Sequence, residues 1–293
     1  TQLREGARSG VSAPDQMLDI RKLVDQLRLY KSPYELDLMR RSAQIAAGAH
    51  LRAMQKTQPN KMEYEIEAEF LHEFYRKGAQ APAYTSIVAG GANACTLHYN
   101  ANNCVLNDGD LLLIDAGCEL DGYASDITRT FPVNGKFSAA QKDLYELVLA
   151  AQAAAISKVN THNHWNAPHE AALEVLVQGF IDFKLCTGSK DEVLETASYR
   201  QFYMHRTGHW LGLDVHDAGE YKDKSGAWRM LQSGNVLTVE PGCYVRPADN
   251  VPEHFWNIGI RIEDDVVVTD TGCEVITAGA PKTVADIESL MQQ

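Results

Sequence analysis

Asp115 stands directly after Leu111-Leu112-Leu113-Ile114, and Glu240 directly after Val236-Leu237-Thr238-Val239. An acid that closes an apolar strand is expected to be buried. A bare buried carboxylate is costly unless a cation, a hydrogen-bond network or a proton compensates it. For one such acid alone, a cap on the following turn is the simpler reading; two at matched positions favour a shared cation. Glu263 ends the alternating run Gly259-Ile260-Arg261-Ile262, and Asp126 follows Asp121-Gly122-Tyr123-Ala124-Ser125 at the start of another strand-like run. Converging carboxylates cannot all ionise without positive charge between them. Two divalent ions would supply it.

The histidines sharpen this reading. His205, His209 and His216 fall within 204–217 together with Gly208 and Gly212. Histidines clustered in a glycine-bearing segment point to a site more than to isolated core residues. The zinc helix His-Glu-x-x-His is excluded, because Arg206 stands where its Glu would be. One imidazole among carboxylate oxygens is a hard donor set. It favours manganese, with cobalt, iron or zinc as further candidates, over a thiolate zinc site.

The elements that must position these residues are legible as periodicity. Ser32-Pro33 opens an amphipathic helix to about Lys56, and a second runs from about Met62 to Lys77. Strands are expected around 86–89, 111–114 and 126–133. Helices follow at 138–158 and 168–184, then a polar loop or weak helix over 187–200. Further strands are expected at 212–215, 236–239 and 258–268, and a capped helix from Thr283 to about Met291 closes the chain. Paired helices between groups of strands indicate α+β. A weak repeat aligns 109–118 with 234–243: in each, a glycine turn leads into an apolar strand, an acid, a small residue or Pro, Gly and Cys. A duplicated half-domain would bring the two strand-end acids together about a pseudo-twofold axis.

The totals are compatible with this. The chain has 293 residues, 45% hydrophobic and 23% charged, with net charge −12, so nucleic acid is not an expected partner. The six cysteines, Cys95, Cys104, Cys118, Cys186, Cys243 and Cys273, form no C-x-x-C pair and are read as reduced thiols of a cytoplasmic protein. No apolar run approaches the roughly 20 residues of a membrane span. Residues 1–33 are polar, carry a turn signal at Ser12-Ala13-Pro14, and begin with what reads as the end of a preceding helix. They are expected to be the remnant of a further N-terminal domain plus a linker (1–32), with the catalytic unit at 33–293.

Taken in order, Ile114-Asp115-Ala116-Gly117, Asp126-Ile127-Thr128-Arg129-Thr130, His205-x-x-x-His209 through His216-Asp217, Thr238-Val239-Glu240-Pro241-Gly242 and Gly259 to Asp265 resemble the motifs of the pita-bread metallopeptidases (M24). Within that family the resemblance is to the aminopeptidase P branch, and it covers roughly 30–280. It implies a pita-bread fold: pseudo-twofold duplicated half-domains with a curved, mainly antiparallel sheet covered by helices. It implies that Asp115 binds one ion, Asp126 and Glu263 bridge two, and His209 and Glu240 complete the other shell. Glu240 would take a proton from a hydroxide shared by the ions. His98, His205 and His216 would contact substrate, and Tyr244 and Arg261 would orient the carboxylates. The implied reaction is release of the N-terminal residue from peptides with proline second, the substrate peptide being the partner, with a homo-oligomer for the full-length protein. Prolidase, which cuts Xaa-Pro dipeptides, is the alternative; a metal-free binding module of the same fold is a third reading, and methionine aminopeptidase matches less well. Arg206 departs from the glycine often found after the first histidine and is expected to alter the pocket rim. His162 and His164 are expected at the surface.

Overall fold

The computed structural model describes residues 9–10, 16 and 18–292. Helix α1 covers Arg21–Leu29, α2 Pro33–Lys56, α3 Glu63–Arg76, α4 Ala139–Ile156, α5 Ala167–Asp182, α6 Lys190–Glu195 and α7 Val284–Met291. Their starts are chemically defined. Ser32 and Glu35 form a reciprocal capping box at α2 with Pro33 in its first turn, Ser138 and Gln141 do the same at α4, and Thr283 caps α7. Helix α2 packs on α3 and α4 on α5, burying Phe70, Phe74, Leu144, Val148 and Phe180.

The strands are β1 (Ala81–Pro82), β2 (Ile87–Gly90), β3 (Leu111–Asp115), β4 (Cys118–Leu120), β5 (Tyr123–Ala124) and β6 (Thr128–Pro132). The second group is β7 (Val236–Val239), β8 (Gly242–Val245), β9 (Ile258–Arg261), β10 (Asp264–Thr269) and β11 (Gly272–Val275). Every pairing among them is antiparallel. The first group forms β2-β3-β6 and β1-β4-β5; the second forms β11-β10-β7 and β8-β9. The sequence repeat is a structural repeat. Gly109 and Gly234, which open its two copies, both have φ +88°, and each leads into a strand closed by an acid, Asp115 at the end of β3 and Glu240 directly after β7. The copies then turn through glycines that cannot carry a side chain. A Cβ on Gly117 would meet the Ser125 carbonyl oxygen at 1.7 Å, and one on Gly242 the Ile260 carbonyl oxygen at 2.8 Å.

The halves join along one seam. Glu263 N donates to Thr128 O at 3.0 Å, and Thr130 Oγ1 donates to Arg261 O at 3.0 Å while accepting Arg261 N at 3.2 Å. Arg129, fully buried, closes the seam from below. Its guanidinium donates to Thr128 O at 2.9 Å, to Glu263 O at 2.5 Å and to Asp264 Oδ1 at 2.7 Å.

Three sequence expectations need correction. Residues 212–215 are not a strand: Asp217 N donates back to Trp210 O at 2.9 Å and Gly212 N to Asp214 O at 3.2 Å, which folds the segment into a tight loop. The run 258–268 is two strands broken at Ile262-Glu263, where the chain crosses the seam. The stretch read as linker contains α1, whose buried anchor is Leu29. The turn expected at Ser12-Ala13-Pro14 and the helix end expected over 1–8 lie outside the described residues.

Candidate metal centre

Each half delivers two acids to the seam. Asp115 ends β3 and Asp126 precedes β6; Glu240 follows β7 and Glu263 occupies the break between β9 and β10. His209 arrives on the loop beside β7, where its N–H donates to Thr238 Oγ1 at 3.1 Å and its carbonyl accepts Thr238 N at 3.0 Å. Gly208 makes this approach possible, since a Cβ there would lie 2.1 Å from Thr238 O. All five line one cleft of about 450 Å³.

Ligand atoms of Asp126, His209 and Glu263 lie within 4.8 Å of one another. His209 Nε2 is 3.4 Å from Asp126 Oδ2 and 3.7 Å from Glu240 Oε1. His209 Nδ1 meets Trp210 O at 3.0 Å. A carbonyl only accepts, so Nδ1 carries a hydrogen in either protonation state, and once Nε2 gives up its proton its lone pair faces the carboxylates, as a ligating imidazole must.

The cluster is electrostatically loaded. Burial first, then the neighbouring carboxylates, raise the pKa of Asp126, push Glu240 up to about 7 and hold Glu263 well above the usual range. Burial disfavours the charged form of His209, but Asp126 and Glu240 outweigh it and hold the ring up to about 9. Groups arranged this way need protons or cations among them. The donor set, carboxylate oxygens and one imidazole nitrogen with its tautomer fixed, fits divalent ions.

Arg261 and Tyr244 stand behind the cluster, fully buried or nearly so. Arg261 Nη2 donates to Asp115 Oδ2 at 2.6 Å and Nη1 to the Tyr244 hydroxyl at 3.0 Å. That hydroxyl is 2.8 Å from His205 Nε2, and His205 Nδ1 is 2.8 Å from Arg206 O. The directions are therefore set: Arg261 to Tyr244, Tyr244 to His205, His205 to the carbonyl. Burial, then the Arg261 charge, push His205 down to about 3 and keep it neutral. His216 stacks edge-on to His209 with ring centroids 4.4 Å apart. His98 lines the cleft from the exposed segment after β2. Arg206 is at the cleft rim, its guanidinium donating to Asn166 Oδ1 and lying 4.9 Å from the Trp228 ring centroid. His162 is exposed and His164 half-buried.

Sequence reasoning passed over three contributors. The Tyr84 hydroxyl lies 2.6 Å from Asp115 Oδ1 and 2.5 Å from Asp126 Oδ1; its single hydrogen cannot serve both, so it marks a place where the acids need a further proton or a cation. Thr128 Oγ1 donates to Glu263 Oε2 at 2.5 Å, and Asp265 Oδ2 accepts Asp126 N at 3.0 Å. Thr128 lies two residues past Asp126 on the same strand face, which is the one signal that could have found it.

The sequence profile of metallopeptidase family M24 matches residues 37–270. The chain belongs to metallopeptidase family M24. Among its relatives, the Xaa-Pro aminopeptidase of Haemophilus influenzae is 52% identical over 277 residues, 94% of this chain and 64% of that protein. The Xaa-Pro aminopeptidase of Escherichia coli is 47% identical over 291 residues, 99% of this chain and 65% of that protein. The aminopeptidase PepP structure from Pseudomonas aeruginosa superposes with a TM-score of 0.97 at 52% identity, covering 99% of this chain and 66% of that one. Aminopeptidase P from E. coli with the inhibitor Pro-Leu gives a TM-score of 0.96 at 46% identity. The expected pita-bread fold is therefore the fold of this M24 chain. The chain spans less than two thirds of the length of these curated relatives.

Proposed function

We propose that this M24 chain is the catalytic unit, over 33–293, of a metal-dependent aminopeptidase that releases the N-terminal residue from peptides with proline second. The observation that carries this reading is the convergence of Asp115, Asp126, His209, Glu240 and Glu263 in one cleft, in a chain 47–52% identical to Xaa-Pro aminopeptidases. Asp115 is assigned to one ion, Asp126 and Glu263 to both, and His209 and Glu240 to the other, with manganese as the physiological metal. Two such ions would polarise the scissile carbonyl and bring the pKa of a bound water toward neutrality. Glu240, assigned to the side of the ions where that water would sit, is the group that would take its proton. The His216 ring is the donor for the developing oxyanion; His205, whose Nδ1–H is held by the Arg206 carbonyl, lines the substrate side of the cleft beside it. Arg261 fixes Asp115 and, through Tyr244, the His205 tautomer. His98 forms the facing wall against the substrate.

The reading extends to a peptide partner with N-terminal Xaa-Pro, a cytoplasmic setting and a homo-oligomer of the full-length protein. Among the described residues no helix is long and apolar enough to cross a membrane, and the cysteines are free. The test is a manganese-dependent assay on Xaa-Pro-Xaa and Xaa-Pro peptides, with His209→Ala and Glu240→Ala as controls. Cleavage of the tripeptide that both substitutions abolish is expected. Cleavage of the dipeptide alone would make the protein a prolidase, and absence of both activities in manganese-loaded protein would overturn the reading.

A further inference from the structure

Glu63, in the first turn of α3, is fully buried and stands outside the metal cluster and the motifs above. Its carboxylate receives four donors from one segment of chain. Oε1 accepts Gly90 N at 2.8 Å and Asn93 Nδ2 at 3.0 Å; Oε2 accepts the Tyr99 hydroxyl at 2.7 Å and Cys104 N at 2.9 Å. The donors mark the beginning, middle and end of the excursion between β2 and β3 that carries Leu97, His98 and Asn100 into the cleft wall. The Glu63 backbone N–H also donates to Cys104 O at 3.0 Å. One turn along the same face of α3, Glu67 Oε2 accepts Asn102 Nδ2 at 3.0 Å, and Asn102 Oδ1 in turn accepts Val88 N at 3.0 Å. An apolar plug could fill this space. Only a carboxylate can accept from two backbone N–H groups and two side chains at once, so the wall is held by a charge with a full set of partners.

We infer that Glu63 is a positioning residue for the peptide site: it fixes the wall that presents His98 to substrate. The inference rests on the reading of this cleft as a peptidase site. Glu63→Gln is isosteric but turns one acceptor oxygen into an NH2 that faces donors, so it breaks one end of the clamp without emptying the space. A misplaced substrate contact costs roughly ten- to a hundred-fold in rate, and a loss of that size in kcat/KM on Xaa-Pro-Xaa is expected, with bound metal unchanged. The deciding comparison is a double-mutant cycle with His98→Ala. If Glu63 acts through His98, adding Glu63→Gln to His98→Ala changes kcat/KM by less than about two-fold. Full additivity, wild-type activity in Glu63→Gln, or a loss of metal in that variant would each overturn the inference.

A second readout separates this inference from the reading it rests on. In amide hydrogen exchange of the metal-free chain, Glu63→Gln is expected to speed exchange within 88–104 and leave 236–269 unchanged. Unchanged exchange in 88–104, or faster exchange everywhere, overturns the inference even if the wild type cleaves Xaa-Pro-Xaa. Confined faster exchange in a chain that cleaves no such peptide sinks the peptidase reading and leaves Glu63 as the anchor of the wall. Tyr99→Phe, which removes one donor and no charge, gives the same cycle if Glu63→Gln does not fold; it is expected to lose less activity and to be equally non-additive with His98→Ala.

Discussion

Lys31 Nζ lies 3.0 Å from Asp217 Oδ2 across 186 residues of sequence, with 1% of each side chain exposed. Arg28 donates to the other oxygen of Asp217, so the carboxylate is held on both sides, by the last turn of α1 and by the segment that joins it to α2. Asp217 directly follows His216, and its N–H closes the loop onto Trp210. Removing one partner of a buried pair leaves a charge without compensation, at about 3–5 kcal/mol. Because Arg28 remains, Lys31→Met is expected at the lower end of that range. Urea unfolding of the metal-loaded protein checks it, and a change under about 1 kcal/mol would mean that Arg28 alone suffices.

The metal-free cluster makes a prediction with a definite sign. Glu240 is raised from about 4.5 to about 7 on folding, so the folded state binds more protons than the unfolded chain in that window. Its contribution is therefore most favourable at low pH and is lost as pH rises through 7. His209, raised to about 9, acts in the same direction, its stabilisation fading as pH rises from 6.5 through 9. Metal-free protein should thus lose stability between pH 5 and pH 8, and manganese should restore it. At pH 8, Glu240→Gln is expected to stabilise the metal-free protein by up to about 3 kcal/mol while abolishing the thermal shift on adding manganese. A destabilised metal-free variant would contradict the assignment of a buried, unfavourably ionised Glu240.

His50 should behave oppositely. It is fully buried on α2, with Nε2 3.1 Å from Ala116 O, and burial pushes it down to about 3. Its folded pKa is below the unfolded value of about 6.5. The unfolded chain therefore takes up the extra proton as pH falls, and stability declines from 6.5 downward. The slope from this residue approaches 1.4 kcal/mol per pH unit at the acid end of the window. Comparing wild type with His50→Leu by urea unfolding at pH 7 and pH 5 isolates it: the stability of wild type relative to the variant should fall from pH 7 to pH 5.

Gly117→Ala tests the geometry of the turn between Asp115 and Asp126. The added methyl would lie 1.7 Å from the Ser125 carbonyl oxygen, backbone that cannot yield without moving Asp126. Overpacking typically costs about 1–3 kcal/mol, and more is expected here because no flexible side chain can give way. Manganese affinity should fall with stability, read by calorimetry on whatever fraction folds.

The acids were legible in the sequence because they break a rule: a carboxylate after an apolar strand is anomalous unless something holds it. Asp115 and Glu240 carried that signal at matched positions of the repeat, and Asp126 and Glu263 joined them, at the start of one further strand-like run and the end of another. Residues 212–215 misled, since alternation there belongs to a loop pinned by Asp217, a long-range tie that local pattern does not contain. The break at Glu263 was hidden in an unbroken apolar run because the kink comes from crossing the seam. Helix α1 was legible as an apolar stripe of Ile20, Leu23, Val24 and Leu27 at helical spacing, and was passed over because the segment as a whole is polar; in the structure that stripe stays exposed and only Leu29 is buried. Tyr84 lies three residues before β2 and meets the acids only through the pairing of Ile87 with Asp115.

The seam between the halves gives the metal site a topological meaning. Asp115 and Asp126 come from one half, Glu240 and Glu263 from the other, so neither half alone holds all the proposed ligands. Ions bound there would act as rivets between two pieces of chain. A polypeptide cut in the exposed turn near His162 would be a two-fragment sensor, silent while apart and reporting reassociation by its affinity for manganese.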